Sequence, residues 1–131
     1  MKKNHSLLIL IFVLLLVSAC NSMDYEANMK AGIKSAKIQR YEEALESFKK
    51  AAQEDNTDEV RQAITYTKYM KDSLELFDNG DFPQALSTSQ KISTTEETSE
   101  ILELLKPRAL KLQLEATELL NQSVAEVKDS L

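Results

Sequence analysis

The residue types that most often carry reaction chemistry sit at one end of this chain. Its single histidine, His5, and its single cysteine, Cys20, both fall within the first twenty residues. Beyond them there is no imidazole and no thiol, which leaves no donors for a disulfide, a Cys/His zinc site, or a triad or dyad that needs either group. Carboxylates are plentiful, with pairs at Glu42-Glu43, Glu54-Asp55, Asp58-Glu59 and Glu96-Glu97. Each pair lies where a helix is expected to start, end or face water, positions at which acids are solvated or favoured by the helix dipole. No Asp-x-Asp-x-Asp-Gly calcium loop, Gly-rich phosphate loop or Gly-x-Ser-x-Gly turn is present, although Ser and Thr are frequent over 87–99. Neither an enzyme nor a cofactor is expected.

Other candidates are surface groups. Lys106, Arg108 and Lys111 form a basic cluster that reads as a solvated face, offset by the nearby acids Glu103 and Glu115. Tyrosine combines apolar area with a hydroxyl and is favoured in recognition surfaces. Of Tyr25, Tyr41, Tyr66 and Tyr69, Tyr41 is expected in the core, and Tyr66 and Tyr69 on different sides of their helix.

The elements that position these groups are helices. Only two Gly and two Pro occur in 131 residues, with few breakers among abundant Glu, Lys, Leu, Ala and Gln. From Asp24 onward apolar residues recur every three or four positions, which predicts an all-α fold of antiparallel helical hairpins in a single domain, 24–131. Helices are expected over 24–37, capped by Asp24; over 41–54, burying Ala44, Leu45, Phe48, Ala51 and Ala52; and over a long third segment to Asp78, capped from the polar run Asp55-Asn56-Thr57-Asp58. Asn79-Gly80-Asp81 is the strongest turn, with Asp81 placed to cap a fourth helix through Ala85, Leu86 and Ile92 and Pro83 in its first turn. A further helical run is expected to begin at Glu96-Glu97 and to be kinked or divided by Pro107 near Lys106, leaving a long leucine-rich C-terminal helix.

Residues 1–20 have the three-part layout of a secretory signal: Lys2 and Lys3, an apolar run Leu7 to Val17, then Ser18 and Ala19 before Cys20. As a helix the apolar run would span only about 16 Å, against a hydrocarbon core of roughly 30 Å. An uncleaved membrane anchor is therefore the poorer alternative. Val17-Ser18-Ala19-Cys20 resembles the lipobox of bacterial lipoproteins. The resemblance implies cleavage between Ala19 and Cys20, acylation of Cys20, a short tether 20–23, and attachment to a membrane on its extracytoplasmic face. Two acyl chains give firm anchoring where one gives marginal binding. Loss of the leader removes Lys2 and Lys3 and leaves 14 Lys and Arg against 21 Asp and Glu, a net charge of −7. That charge repels nucleic-acid phosphate, and no nucleic-acid partner is expected.

The second and fourth helices open alike, Tyr41-Glu42-Glu43-Ala44-Leu45 and Phe82-Pro83-Gln84-Ala85-Leu86. With Tyr25 as first position the chain resembles a tetratricopeptide repeat, a hairpin of about 34 residues. Gly32, Ala44 and Ala51 then occupy positions where the family has small residues, and Tyr41 and Phe48 positions where it has large ones. Asn28, Ala31 and Ser35 depart from the pattern. A second unit from Tyr66 places Tyr69, Ser73, Leu76, Phe82 and Ala85, with Asp72, Ser89 and Ile92 as departures. Ala44 and Ala85 are 41 positions apart, an excess of about two helical turns that the long third helix can absorb. An irregular helical bundle is the alternative.

The resemblances together imply a lipid-tethered module that binds another envelope protein or a peptide. The rival is a structural lipoprotein that self-associates through leucines on more than one face of residues 101–120.

Overall fold

A computed structural model describes residues 23–129, so Ala19, Cys20 and the rest of the leader lie outside the described residues. The protein is all-helical over that range. Helix α1 covers 23–37, α2 Tyr41–Glu54, α3 Asp58–Asp78, α4 Phe82–Ser93 and α5 Glu100–Asp129. The helices form antiparallel hairpins in a stack: α3 packs on α2 and α4, and α5 lies across α3 and α4.

Helix ends follow from local chemistry. The Thr57 hydroxyl accepts the Val60 amide at 3.1 Å and starts α3; the Asp81 carboxylate accepts the Gln84 amide at 3.3 Å and starts α4. Two helices end in the same left-handed turn. At the end of α3, Gly80 has φ +78° while the Asp81 and Gly80 amides reach back to the Leu76 and Phe77 carbonyls. At the end of α1, Gln39 takes φ +63° while the Arg40 and Gln39 amides bond Ser35 and Ala36. Helix α1 already includes Met23, so Asp24 lies inside it rather than capping it.

Two expectations about the last helix are corrected. Pro107 neither ends nor divides it: α5 is continuous from Glu100 to Asp129 with Pro107 inside. An interior proline costs about 3 kcal/mol through the lost hydrogen bond and the clash with the preceding turn. Here Glu103 and Pro107 are both exposed, so water can serve the freed carbonyl, while Leu102 and Leu105 before the proline and Ala109 and Leu112 after it are buried in the same core. Nor does the helix begin at Glu96-Glu97. Residues 95–99 are extended or irregular, and Thr95 and Glu97 within them have tertiary partners, described below.

The core is contributed by every helix. Ile33 and Ala36 of α1 join Ala44, Phe48 and Ala51 of α2, Val60 and Met70 of α3, Ile92 of α4, and Ile101, Leu102 and Leu105 of α5. Gly32 is where α1 and α2 come closest. A Cβ placed there would fall onto the Phe48 ring, 2.8 Å from Cζ, inside any real contact distance. Ala44, Phe48, Ala51 and Ala85 are fully buried and Tyr41 nearly so. Phe82 is only partly buried; its ring packs edge-on against Phe77, centroids 5.3 Å apart.

Candidate functional site

Helix α1 lies beside α3 and the start of α5, and the cleft between them has an apolar floor and a volume of about 380 Å³. The period of α1 builds it: Tyr25, Met29 and Ile33 recur every four residues and supply the floor, with Met29 and Tyr25 half-buried and Ile33 buried. One wall is also from α1, where Lys30, Lys34 and Lys37 follow at three- and four-residue spacing. Glu26, Glu59 and Glu100 complete the rim.

Polar contacts fix the two ends of the cleft. The Tyr25 hydroxyl shares a 2.7 Å hydrogen bond with the Thr57 hydroxyl, pinning the start of α1 to the cap of α3. Lys37 Nζ lies 3.7 Å from the Glu100 carboxylate, tying the far end of α1 to the start of α5. Among the described residues Lys30, Lys34, Glu26 and Glu59 form no ion pair, so the rim carries two uncommitted cations and two uncommitted carboxylates around an apolar floor. Such a cleft suits an amphipathic segment: apolar side chains on Met29 and Ile33, acids toward Lys30 and Lys34.

A second depression, about 500 Å³ and more polar, lies over Tyr66 between Arg61 and Glu97. Its groups bind each other. The Tyr66 hydroxyl donates to the Glu97 carboxylate at 2.7 Å and lies 3.0 Å from the Thr95 hydroxyl; burial, and then the bond to Glu97, push its pKa above the usual tyrosine value. Arg61 is held by Asp58 and by the Asn56 carbonyl. Tyr69 stands beside Tyr66, ring centroids 6.1 Å apart and edge to face. The expectation that the two face different sides is therefore corrected, since residues three apart on a helix are neighbours.

The basic cluster Lys106, Arg108 and Lys111 is only partly a solvated face. Lys111 does pair with Glu115, at 3.6 Å. Lys106 donates to the Thr95 and Glu97 carbonyls at 2.8 and 3.2 Å and holds the segment before α5 in place. Arg108 donates to the Ala36 and Lys37 carbonyls at 2.5 and 2.7 Å and to the Tyr41 hydroxyl at 3.1 Å. One guanidinium thus caps the carbonyl end of α1, where the dipole favours a cation, and joins it to α2 and α5. Lys71 is held by Glu75 at 2.8 Å, and that hydrogen bond raises its pKa.

The positions singled out for packing do not line the cleft; Gly32, Ala44, Phe48 and Ala51 lie behind it and set how closely α1 approaches α2. Sequence reading missed the cleft because its floor comes from one helix and its rim from three. The signal available was the lysine spacing 30, 34, 37 beside the apolar spacing 25, 29, 33. Among the described residues no three His, Cys, Asp or Glu side chains converge in a way that could hold a metal ion, and no helix is long and apolar enough to cross a membrane. No family model matches the chain, and no curated protein or solved structure matches it either.

Proposed function

We propose that this chain is a bacterial lipoprotein, held through acylated Cys20 on the extracytoplasmic face of a membrane, whose tetratricopeptide-repeat-like helices act as a non-enzymatic protein-binding module. The observation that carries the binding role is the α1 cleft, an apolar floor at Tyr25, Met29 and Ile33 bordered by the uncommitted charges of Lys30, Lys34, Glu26 and Glu59. The tether is supported by the leader and by Val17-Ser18-Ala19-Cys20. The repeat-like reading is supported by the contact of Gly32 with Phe48, the burial of Ala44 and Ala51, and the length of α3, which at 21 residues is seven longer than α2. The partner is an envelope protein or a peptide segment presenting apolar side chains beside acids.

Crosslinking in intact cells, capture of the tethered protein and mass spectrometry test the reading. One envelope protein is expected, lost when Lys30 and Lys34 are both changed to Glu, a surface change that spares the core. Recovery of only the chain itself overturns the hetero-partner role. The anchor is tested separately by intact mass and membrane fractionation of Cys20→Ala; a variant still cut after Ala19 and still membrane-bound overturns it.

A second reading, a structural lipoprotein that self-associates without using the cleft, is favoured by the exposed leucines of α5, Leu110 at 56 % and Leu114 at 70 % exposure.

A further inference from the structure

The buried residues Leu102, Leu105, Ala109, Leu112 and Ala116 of α5 recur at three- and four-residue spacing, and a second row with the same spacing lies on another side of the helix. Taking Leu110 as position a of a heptad, Thr117 and Val124 are the next a residues, Gln113 and Leu120 are d residues, and Leu114 is at e. This seam borders the face of α5 that the body covers: Leu110, Leu114, Thr117 and Val124 are exposed and Leu120 half-buried, while Gln113 donates to the Ser93 hydroxyl of α4 at 3.0 Å and Ala116 at g is buried. It extends over residues 110–126, about 25 Å of helix.

Charge placement follows the same register. The charged residues of this stretch are Lys111, Glu115, Glu118 and Glu126, which fall at b, f, b and c. No charge stands at a, d, e or g, the positions that face a partner helix. Val124 is β-branched at a and Leu120 is at d, the combination that favours two parallel strands; Leu110 and Thr117 are the other a residues and Gln113 the other d residue.

The orientation of the body supplies the direction. Tyr25 bonds Thr57, so the start of α1 and the start of α3 share one end of the stack. α5 runs with α3: the segment entering it meets Tyr66, and Arg108 and Leu112 lie with Met70 and Leu74 around one cavity farther along. Its last turns therefore point away from the end that carries residue 23. Two chains tethered just before α1 in one membrane present their α5 helices side by side and in the same direction.

We infer that a second copy of this chain covers the seam, the two α5 helices pairing in parallel over residues 110–126. The common direction rests on the lipid-tether reading; the seam does not. So short a seam binds weakly in free solution, and confinement to one membrane raises the effective concentration that makes it form.

The test places single cysteines in the full-length membrane-bound chain, at Thr117 and Val124 on the seam and at Gln122 (f) as control, with mild oxidation followed by non-reducing gel analysis. Parallel pairing brings each a residue against its own copy, so Thr117→Cys and Val124→Cys both form dimers at least tenfold faster than Gln122→Cys. Equal rates at all three positions, or no dimer at any, overturn the pairing. Linking at only one of the two a positions indicates an antiparallel crossing and also overturns it. The parent chain separates the two readings: an acylated Cys20 has no free thiol, so the parent gives no disulfide. A parent dimer removes the tether, and the same variants in a Cys20→Ser background then decide the pairing on its own.

Discussion

Residues 100–116 and 117–129 belong to one helix in unlike surroundings. In the first stretch Ile101, Leu102, Leu105, Ala109, Leu112 and Ala116 are buried, and Lys106 and Arg108 bond carbonyls of other segments. In the second, no residue through Lys128 is buried. The first stretch stays helical across a proline, and the second stays helical with little of its surface covered by the fold. Tertiary packing holds the one; the other extends a helix whose costly nucleus is already formed. Helicity along α5 therefore says little about stability, and the two stretches should respond differently to substitution.

The largest difference is expected between apolar truncations. Leu105→Ala, at a fully buried position, should cost about 2–5 kcal/mol in urea unfolding, whereas Leu119→Ala in the tail should stay within about 0.5 kcal/mol. Equal losses would show that the tail is part of the cooperative unit. Arg108→Ala comes next: it removes one of the two donors of the Ala36 carbonyl, which keeps the Gln39 amide, together with the side-chain donor to the Lys37 carbonyl, and should cost about 1–3 kcal/mol, with amide exchange rising at the end of α1 rather than in α5. Exchange that rises only within α5 would refute the clamp.

A smaller effect concerns the segment leading into the packed stretch. Tyr66→Phe removes the hydroxyl bonded to Glu97 and should cost about 1 kcal/mol at neutral pH. Because folding raises the Tyr66 pKa above the ordinary tyrosine value of about 10, its contribution is complete below that pH and falls as pH rises through the folded value. The parent should thus converge on Tyr66→Phe in alkaline melts, and a gap that widens above pH 10 would contradict the assignment. The smallest change should come from Val124→Ala, with thermal unfolding of the body close to the parent's.

The sequence made α2, α3 and α4 legible because their signals are local: apolar spacing, Thr57 and Asp81 as caps, Gly80 in the turn. The same left-handed turn at Gln39 carries no glycine and could not be read. A division at Pro107 and a helix start at Glu96-Glu97 do not form for the opposite reason, since strong local signals are overridden by burial on both sides of Pro107 and by the hydroxyl of Tyr66. Of the cleft, the apolar spacing of Tyr25, Met29 and Ile33 was visible, but not the approach of Glu59 and Glu100, which depends on where α3 and α5 lie. Arg108 was beyond local reading, because its acceptors are main-chain carbonyls that carry no residue signature.

Arg108 also sets an order of events. Its bonds to Lys37 and Ala36 span 71 and 72 positions. The carbonyl end of the first helix therefore waits for a residue made long after it, and loop closure over that distance must come before the contact can form. Until Arg108 has emerged, the opening hairpin lacks its clasp, so the chain completes its beginning late.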